Sequence, residues 1–331
     1  MIAWSEVARG VPLLACAPAL ALAIDRLLGE PPLAWHPVGW MGRWLTWAGA
    51  RLAPPVELAA VLSGRRVFGV AALAWCAAAA TVVALAWLLQ SWVLTQPAWL
   101  AALALGLFLK PLLAWAMLHD EVLAVERALG ESLDAGRAHL ARLVSRDATP
   151  LSVHQVRESA IESLAENLND SLVAPLFWFV LLGLPGAALF RFANTADAMW
   201  GYRGARELGG VQRDWTWAGK WAARVDDVLA WVPARLTALL IGGLGALRGW
   251  RHLPREARRT PSPNGGWPMA AMALVLGVRL RKPQVYTLNA DGRAAAPEDL
   301  LRACQIGSRC ALASTVLACA VLLVSLTGWA P

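Results

Sequence analysis

The sequence predicts an all-α, polytopic integral membrane protein with about four to six membrane-embedded helices, some broken or re-entrant, joined by helical cytoplasmic segments. Three observations carry this. Hydrophobic residues make up 58% of the 331 and charged residues only 16%, with a mean hydropathy of +0.48, too apolar for an ordinary soluble enzyme of this size. Uncharged stretches recur at lengths that cross about 30 Å of hydrocarbon. Trp occurs 19 times against 2 Tyr, and many of these indoles lie near the ends of apolar runs, where an amphipathic ring favours the headgroup layer. No internal repeat is evident and strand-like alternation is rare, so residues 1–331 read as one membrane-embedded domain.

The membrane segments are expected near 11–24, 67–89, 99–118, 172–190, 231–247 and 311–330. Val11 to Ile24 is only 14 residues long and suits a short, tilted or buried helix that is retained rather than cleaved. Val67 to Leu89 has 23 residues and no charge, and Trp99 to Leu118 is interrupted only by Lys110 and Pro111. The two read as a transmembrane hairpin whose uncharged connector faces outward. Ala311 to Ala330 is a further uncharged span whose N-terminal end is expected in the cytoplasm. Leu172 to Phe190 and Trp231 to Leu247 are punctuated by Pro175, Pro185-Gly186, Pro233 and Gly242-Gly243. If both crossed fully, 191–230 would be stranded outside, away from the other polar segments. They are therefore expected to form a broken pair near the cytoplasmic leaflet, or helices within a protein-lined cavity.

The polar segments 25–66, 119–171, 191–230 and 248–310 remain to form a site. The second holds ten acidic against five basic residues, the last eleven basic against four acidic, so an acidic segment faces a basic one. The net charge of +7 fits basic loops beside membrane spans and does not demand nucleic acid, since no basic groove interleaves with aromatics. Five cysteines form no CxxC pair and the histidines are scattered, which supports neither a zinc centre nor a disulfide framework. Oxygen-ligand sites for hard cations stay open.

Five constellations stand out. His154, Glu158, Glu162, Glu166 and Asp170 are spaced four apart behind a helix start at Thr149-Pro150 and Ser152, with Asn167 and Asn169 beside the last two. Each four-residue step drifts only about 40°, so Glu162, Glu166 and Asp170 share a face, and magnesium with phosphate is the natural task for it. A solvated amphipathic face is the plainer alternative. Asn194-Thr195-Ala196-Asp197 offers oxygen ligands or simply a turn. Lys220, Arg224, Asp226-Asp227 and Arg235 form either a metal–phosphate site or an ion-pair network. Ser262-Pro263-Asn264-Gly265-Gly266 lets backbone amides approach an anion, or is merely a turn. Asp25 to Pro32 with His36-Pro37-Val38 reads by default as a Pro-rich loop. No P-loop, dinucleotide or hydrolase-elbow motif occurs.

Taken in order, these segments resemble the adenosylcobinamide-phosphate synthase family of cobalamin biosynthesis, the CobD/CbiB membrane proteins, over most of the chain. The marks are Asp25-x-Leu27-Leu28-Gly29-x-Pro31-Pro32 with His36-Pro37-Val38, and Glu162-Ser-Leu-Ala-Glu166-Asn167-x-x-Asp170 followed by Ala174-Pro175-Leu176-Phe177. Further on come Gly183-x-Pro185-Gly186, Asn194-Thr195-x-Asp197-x-Met199, Ala223-Arg224-x-Asp226-Asp227, Pro233-Ala234-Arg235 and Ser262-Pro263-Asn264-x-Gly266. Ala230-Trp231 and Trp200 depart from the pattern outside its charged part.

The resemblance implies an ATP-dependent ligase joining a carboxylate of adenosylcobyric acid to the amine of aminopropanol phosphate, or of a related amino alcohol. The product is adenosylcobinamide phosphate. ATP and Mg²⁺ are the implied cofactors, and a lipid-embedded enzyme of the bacterial cytoplasmic (inner) membrane, active on the cytoplasmic side, is the implied setting. On this reading Glu162, Glu166, Asp170, Asp197, Asp226 and Asp227 are metal ligands, and Glu162, Glu166, His36 and Lys220 do catalytic work, with His36 accepting the amine proton. Arg224, Arg235, Asn194, Asn264 and Asn167 bind substrate and phosphate. Self-association and a partner from the pathway are left open. Two rival readings are a secondary transporter, for which repeat symmetry is missing, and an intramembrane Mg-dependent prenyl or phospho-alcohol transferase, for which the adjacent Asp226 and Asp227 are wrongly spaced.

Overall fold

A computed structural model describes residues 12–144 and 146–327. The expected segments 11–24 and 311–330 therefore each fall partly outside the described residues. What is described is helical apart from two short antiparallel hairpins, β1 (Ala205–Leu208) with β2 (Val211–Asp214) and β3 (Leu280–Lys282) with β4 (Tyr286–Leu288). Neither hairpin alternates strongly enough to be read from sequence.

The first half frames a membrane layer. Helix α1 (Ala17–Leu28) runs past Ile24 and stops at Gly29, whose φ of 65 breaks the helix. It packs on α4 (Ala98–Leu109), where Gly106 has no room for a Cβ against Leu20. Between them lie α2 (Pro37–Leu52) and α3 (Gly64–Val93). Lys110 and Pro111 do more than interrupt the 99–118 run. The chain tightens to a 3-10 turn over Lys110–Leu112 and starts a new helix, α5 (Trp115–Glu131), bent by 40°. Helix α6 (Leu133–Leu140) follows, capped by Ser132.

The second half carries the polar chemistry. Helix α7 (Val153–Leu168) starts at the expected place, with a capping box between Ser152 and Gln155. A π-turn over Asn169–Val173 links it to α8 (Ala174–Trp200), broken at Gly183 (φ 69, ψ −155) with Pro185 just beyond. Helices α9 (Lys220–Leu229) and α10 (Trp231–Leu244) meet at a 48° bend. Helix α11 (Gly266–Leu276) and the long α12 (Pro297–Thr327) complete the order.

Among the described residues three helical runs are long and apolar enough to cross a membrane, 64–93, 153–200 and 297–327, or five if each bent pair is one span. Their surroundings differ. Only 17% of the apolar window in α3 and 28% of that in α12 is buried by protein, against 56% in 153–200. The outward faces of α3 and α12, with Leu73, Trp87, Leu88, Leu312, Val316 and Val324 uncovered, suit lipid, whereas α7 and α8 form the interior.

Candidate functional site

Asp170 and Asp197 line the same cavity of about 430 Å³. On a straight helix, 27 residues would hold them about 40 Å apart. The chain therefore doubles back at Gly183, and the 172–190 segment is broken there rather than one straight helix. Gln90 at the end of α3 secures the reversal: its Oε1 accepts the Leu184 N–H at 2.7 Å, one of the donors that the restarting helix leaves free.

Three other elements close the cavity. The π-turn presents Asn169 and Asp170: Asn169 Nδ2 donates to Asp170 Oδ1 (2.8 Å), while its Oδ1 accepts from the Thr237 hydroxyl of α10 (3.0 Å). Helix α9 contributes Asp226 and Asp227. The 262–265 loop is held by Arg235, whose Nη1 donates to Asn264 Oδ1 (2.7 Å) and Nη2 to Pro263 O (3.0 Å). Asn264 Nδ2 in turn donates to Asp227 O (2.7 Å). At Gly265 the backbone runs close to the Glu166 carboxylate, where a Cβ would sit 2.6 Å from Oε1 and push that side chain aside.

Five carboxylates line this space, Glu166, Asp170, Asp197, Asp226 and Asp227, and the lining includes one cation, Arg203. Like charges gathered in partly desolvated surroundings repel, and a cationic ligand relieves them. The six-carboxylate metal set expected from the sequence is not assembled. Among the described residues no three His, Cys, Asp or Glu side chains approach closely enough to hold an ion by themselves. A space bordered by separate carboxylates and amides still fits Mg²⁺ carrying phosphate, because that ion commonly takes only one or two carboxylates and fills its octahedron with water and phosphate oxygens.

The cavity gathers Glu166, Asp170, Asn194, Asp197, Asp226, Asp227 and Asn264 from the expected set. The others stand elsewhere. The drift of about 40° per step, harmless between neighbours, accumulates to about 120° from Glu158 to Asp170. Glu158 therefore meets Arg281 at 2.9 Å, and Glu162 meets Arg146 at 2.9 Å in an adjoining pocket that also takes Asn167. Lys220 lies over the Trp217 ring, and Arg224 is exposed outside the lining. Arg235, expected on phosphate, locks the loop instead, stacked between Trp231 and Trp267.

Both ring nitrogens of His36, expected to accept the amine proton, are engaged within the protein. Its Nδ1 accepts the Val38 N–H that it caps (3.2 Å), so the neutral ring carries its proton on Nε2 and donates it to Glu30 Oε2 (3.0 Å). Glu30 belongs to a buried ionic cluster that the sequence reading missed. Lys110 Nζ lies 2.7 Å from Glu30 Oε2 and 3.3 Å from Asp25 Oδ1, and Asp25 Oδ2 accepts the Ala116 N–H at 2.7 Å. Arg191, within Coulombic reach of Glu30 and Asp170, donates twice to Leu112 O (2.9 and 2.6 Å). The signal was a lone lysine inside an apolar run. Arg203 and Arg146 carried none.

The chain is similar to known proteins over most of its length. A family model described as CobD/Cbib protein matches residues 18–307. A probable cobalamin biosynthesis protein CobD of Methanothermobacter thermautotrophicus is 39% identical over 311 residues, covering 92% of this chain and 97% of that protein. The cobalamin biosynthesis protein CobD of Chromobacterium violaceum is 44% identical over 268 residues, 79% of each chain. That of Stutzerimonas stutzeri is 42% identical over 291 residues, 84% of this chain and 87% of its own. No solved structure matches the chain.

Proposed function

The chain belongs to the CobD/CbiB family of cobalamin biosynthesis proteins, and from that premise we propose that it catalyses ATP-dependent amide ligation. Adenosylcobyric acid supplies the carboxylate, aminopropanol phosphate or a related amino alcohol supplies the amine, and adenosylcobinamide phosphate is the product. The observation that carries this reading is the cavity of five carboxylates, three asparagines and one arginine, an oxygen-donor set left short of positive charge.

When bound, nucleotide and metal would supply phosphoryl activation of the carboxylate, so that the amine forms the amide bond as phosphate leaves. One or two of Asp197, Asp226, Asp227, Glu166 and Asp170 would hold Mg²⁺, with water and phosphate oxygens completing its shell. Arg203, the cation in the cavity lining, would take the phosphate oxygens. Asn194 and Asn264 orient what binds, the latter fixed by Arg235. Beyond Pro261 to Pro263 lies an open hollow of about 670 Å³ walled by Trp231 and Trp267, and it suits the bulky, flat corrinoid. We place the cavity on the cytoplasmic side of the cell membrane, where ATP is available.

Detergent-solubilised protein mixed with adenosylcobyric acid, aminopropanol phosphate, ATP and Mg²⁺ is expected to yield a corrinoid heavier by the amine less one water, read by mass spectrometry. Product that forms equally well without nucleotide, or no product at all from folded protein, removes the ligase assignment.

A further inference from the structure

Beside the acidic cavity, and sharing Glu166 with it as a party wall, lies a second hollow of about 140 Å³ between α7, the loop at Arg146 and the β3–β4 hairpin. Its size excludes a nucleotide or a macrocycle, whose pockets are typically several hundred Å³. Its chemistry is of both signs: Arg146 and Lys282 face Glu162 and Glu166, with Asn167 and Tyr286 completing the polar lining.

Two of these groups are not fully used. Glu162 is 4% exposed, and although its Oε2 accepts from Arg146 Nη2, its Oε1 is buried with no hydrogen bond of good geometry, the Tyr286 hydroxyl being the nearby donor. Arg146 spends Nη2 on Ser159 Oγ (2.6 Å) and Glu162 (2.9 Å), while its Nε is buried without an acceptor. A buried acceptor and a buried donor left unpaired in one small space is uncommon in a folded interior unless a ligand completes them. Burial, and then the charges of Glu162 and Glu166, push the Tyr286 phenol well above its ordinary range, so it stays a neutral hydroxyl.

We infer that this hollow seats a small zwitterion, a phosphorylated primary amine, with its phosphate toward Arg146 and Lys282 and its ammonium toward Glu162. Two cations against two carboxylates leave the pocket neutral, which favours neither a free anion nor a free cation over a molecule carrying both charges. Glu166, common to both hollows, sets the amine end beside the space where the proposed ligation activates a carboxylate. The inference deepens that reading and rests on it for the identity of the amine.

The test uses full-length protein in detergent with no nucleotide and no corrinoid. Calorimetry compares 1-amino-2-propanol O-phosphate, unphosphorylated 1-amino-2-propanol and inorganic phosphate. Wild type is expected to bind the phosphorylated amine at least about tenfold tighter than either fragment. Lys282→Ala, at an exposed position, is expected to lose about tenfold on the phosphorylated amine and nothing on the bare amine. Glu162→Gln is expected to weaken both amines and spare phosphate. In turnover, Lys282→Ala raises KM for the amine while kcat and the KM for ATP hold. Equal binding of all three probes by wild type, or an unchanged affinity and amine KM in Lys282→Ala, overturns the pocket while leaving ligation intact. Intact binding in a protein that forms no amide overturns the ligase reading instead.

Discussion

The acidic cavity and the cluster around Lys110 are both built from ionisable side chains set among apolar helices, but their charges close differently. Around Lys110, the two carboxylates Asp25 and Glu30 both pair with that one lysine, and Arg191 lies within Coulombic reach of Asp170 in the cavity and of Glu30, so its charge is shared between the two regions. In the cavity, five carboxylates face one arginine. A buried group whose charges cancel holds helices together, whereas one whose charges do not cancel is incomplete until something binds. Charge balance, rather than acidity, separates strut from site.

The largest effect is expected where balance is broken. Lys110→Met leaves the fully buried Asp25 without its cation, beside a partly exposed Glu30, and removing one partner of a buried pair costs about 3–5 kcal/mol. Thermal unfolding in detergent should show a large fall in midpoint, partly recovered when Glu30→Gln is added. An unshifted midpoint for the single variant would mean that the cluster is not holding α1 to the start of α5.

Asp226→Asn tests the other side and should act with the opposite sign on stability. It removes one of five mutually repelling charges, so the unfolding midpoint is expected to hold or rise, while product formation falls about a hundredfold through lost transition-state stabilisation. A variant that is both active and destabilised would merge the two regions into one structural class.

Much of the cavity was legible because acidic residues bordering broken apolar segments are costly unless used, and Asp170, Asp197, Asp226 and Asp227 all announce themselves that way. The break at Gly183-Pro185 was legible too. Three things were not. Spacing of four places side chains on a face but not in a common space, so Glu162 was grouped with Asp170 although rotation along α7 delivers it to Arg146. Partner choice across long sequence distances is invisible, which is why Lys110 read as a tolerated interruption rather than the counter-ion of Asp25. Arg203 sits in a turn before β1 with no pattern around it, and only the fold brings it to the carboxylates.

The turn that makes a shared cavity is the next place to press. Gly183 holds φ 69 and ψ −155, a combination that L residues avoid, and a Cβ there would also collide with the Gln90 amide. Gly183→Ala is expected to cost about 1–3 kcal/mol and to lower activity by moving Asp197 relative to Asp170. Made in a Gln90→Ala background, the same change should cost less, since the collision is gone and only the backbone strain remains. Strictly additive losses would show that Gln90 does not hold the reversal.

The smallest effect is expected at His36, and its size is informative because a catalytic and a structural histidine lose different things. A residue that took the amine's proton in the transition state would cost about two to four decades in kcat when removed. A residue that caps α2 through Nδ1 and donates to Glu30 through Nε2 loses a cap, worth about 1 kcal/mol, and one hydrogen bond at the edge of the Lys110 cluster. His36→Asn keeps an acceptor for the Val38 N–H and should therefore lose less stability than His36→Ala, with kcat held in both. A collapse of kcat in the folded Asn variant would return His36 to the reaction and make the Lys110 cluster part of the site rather than its scaffold.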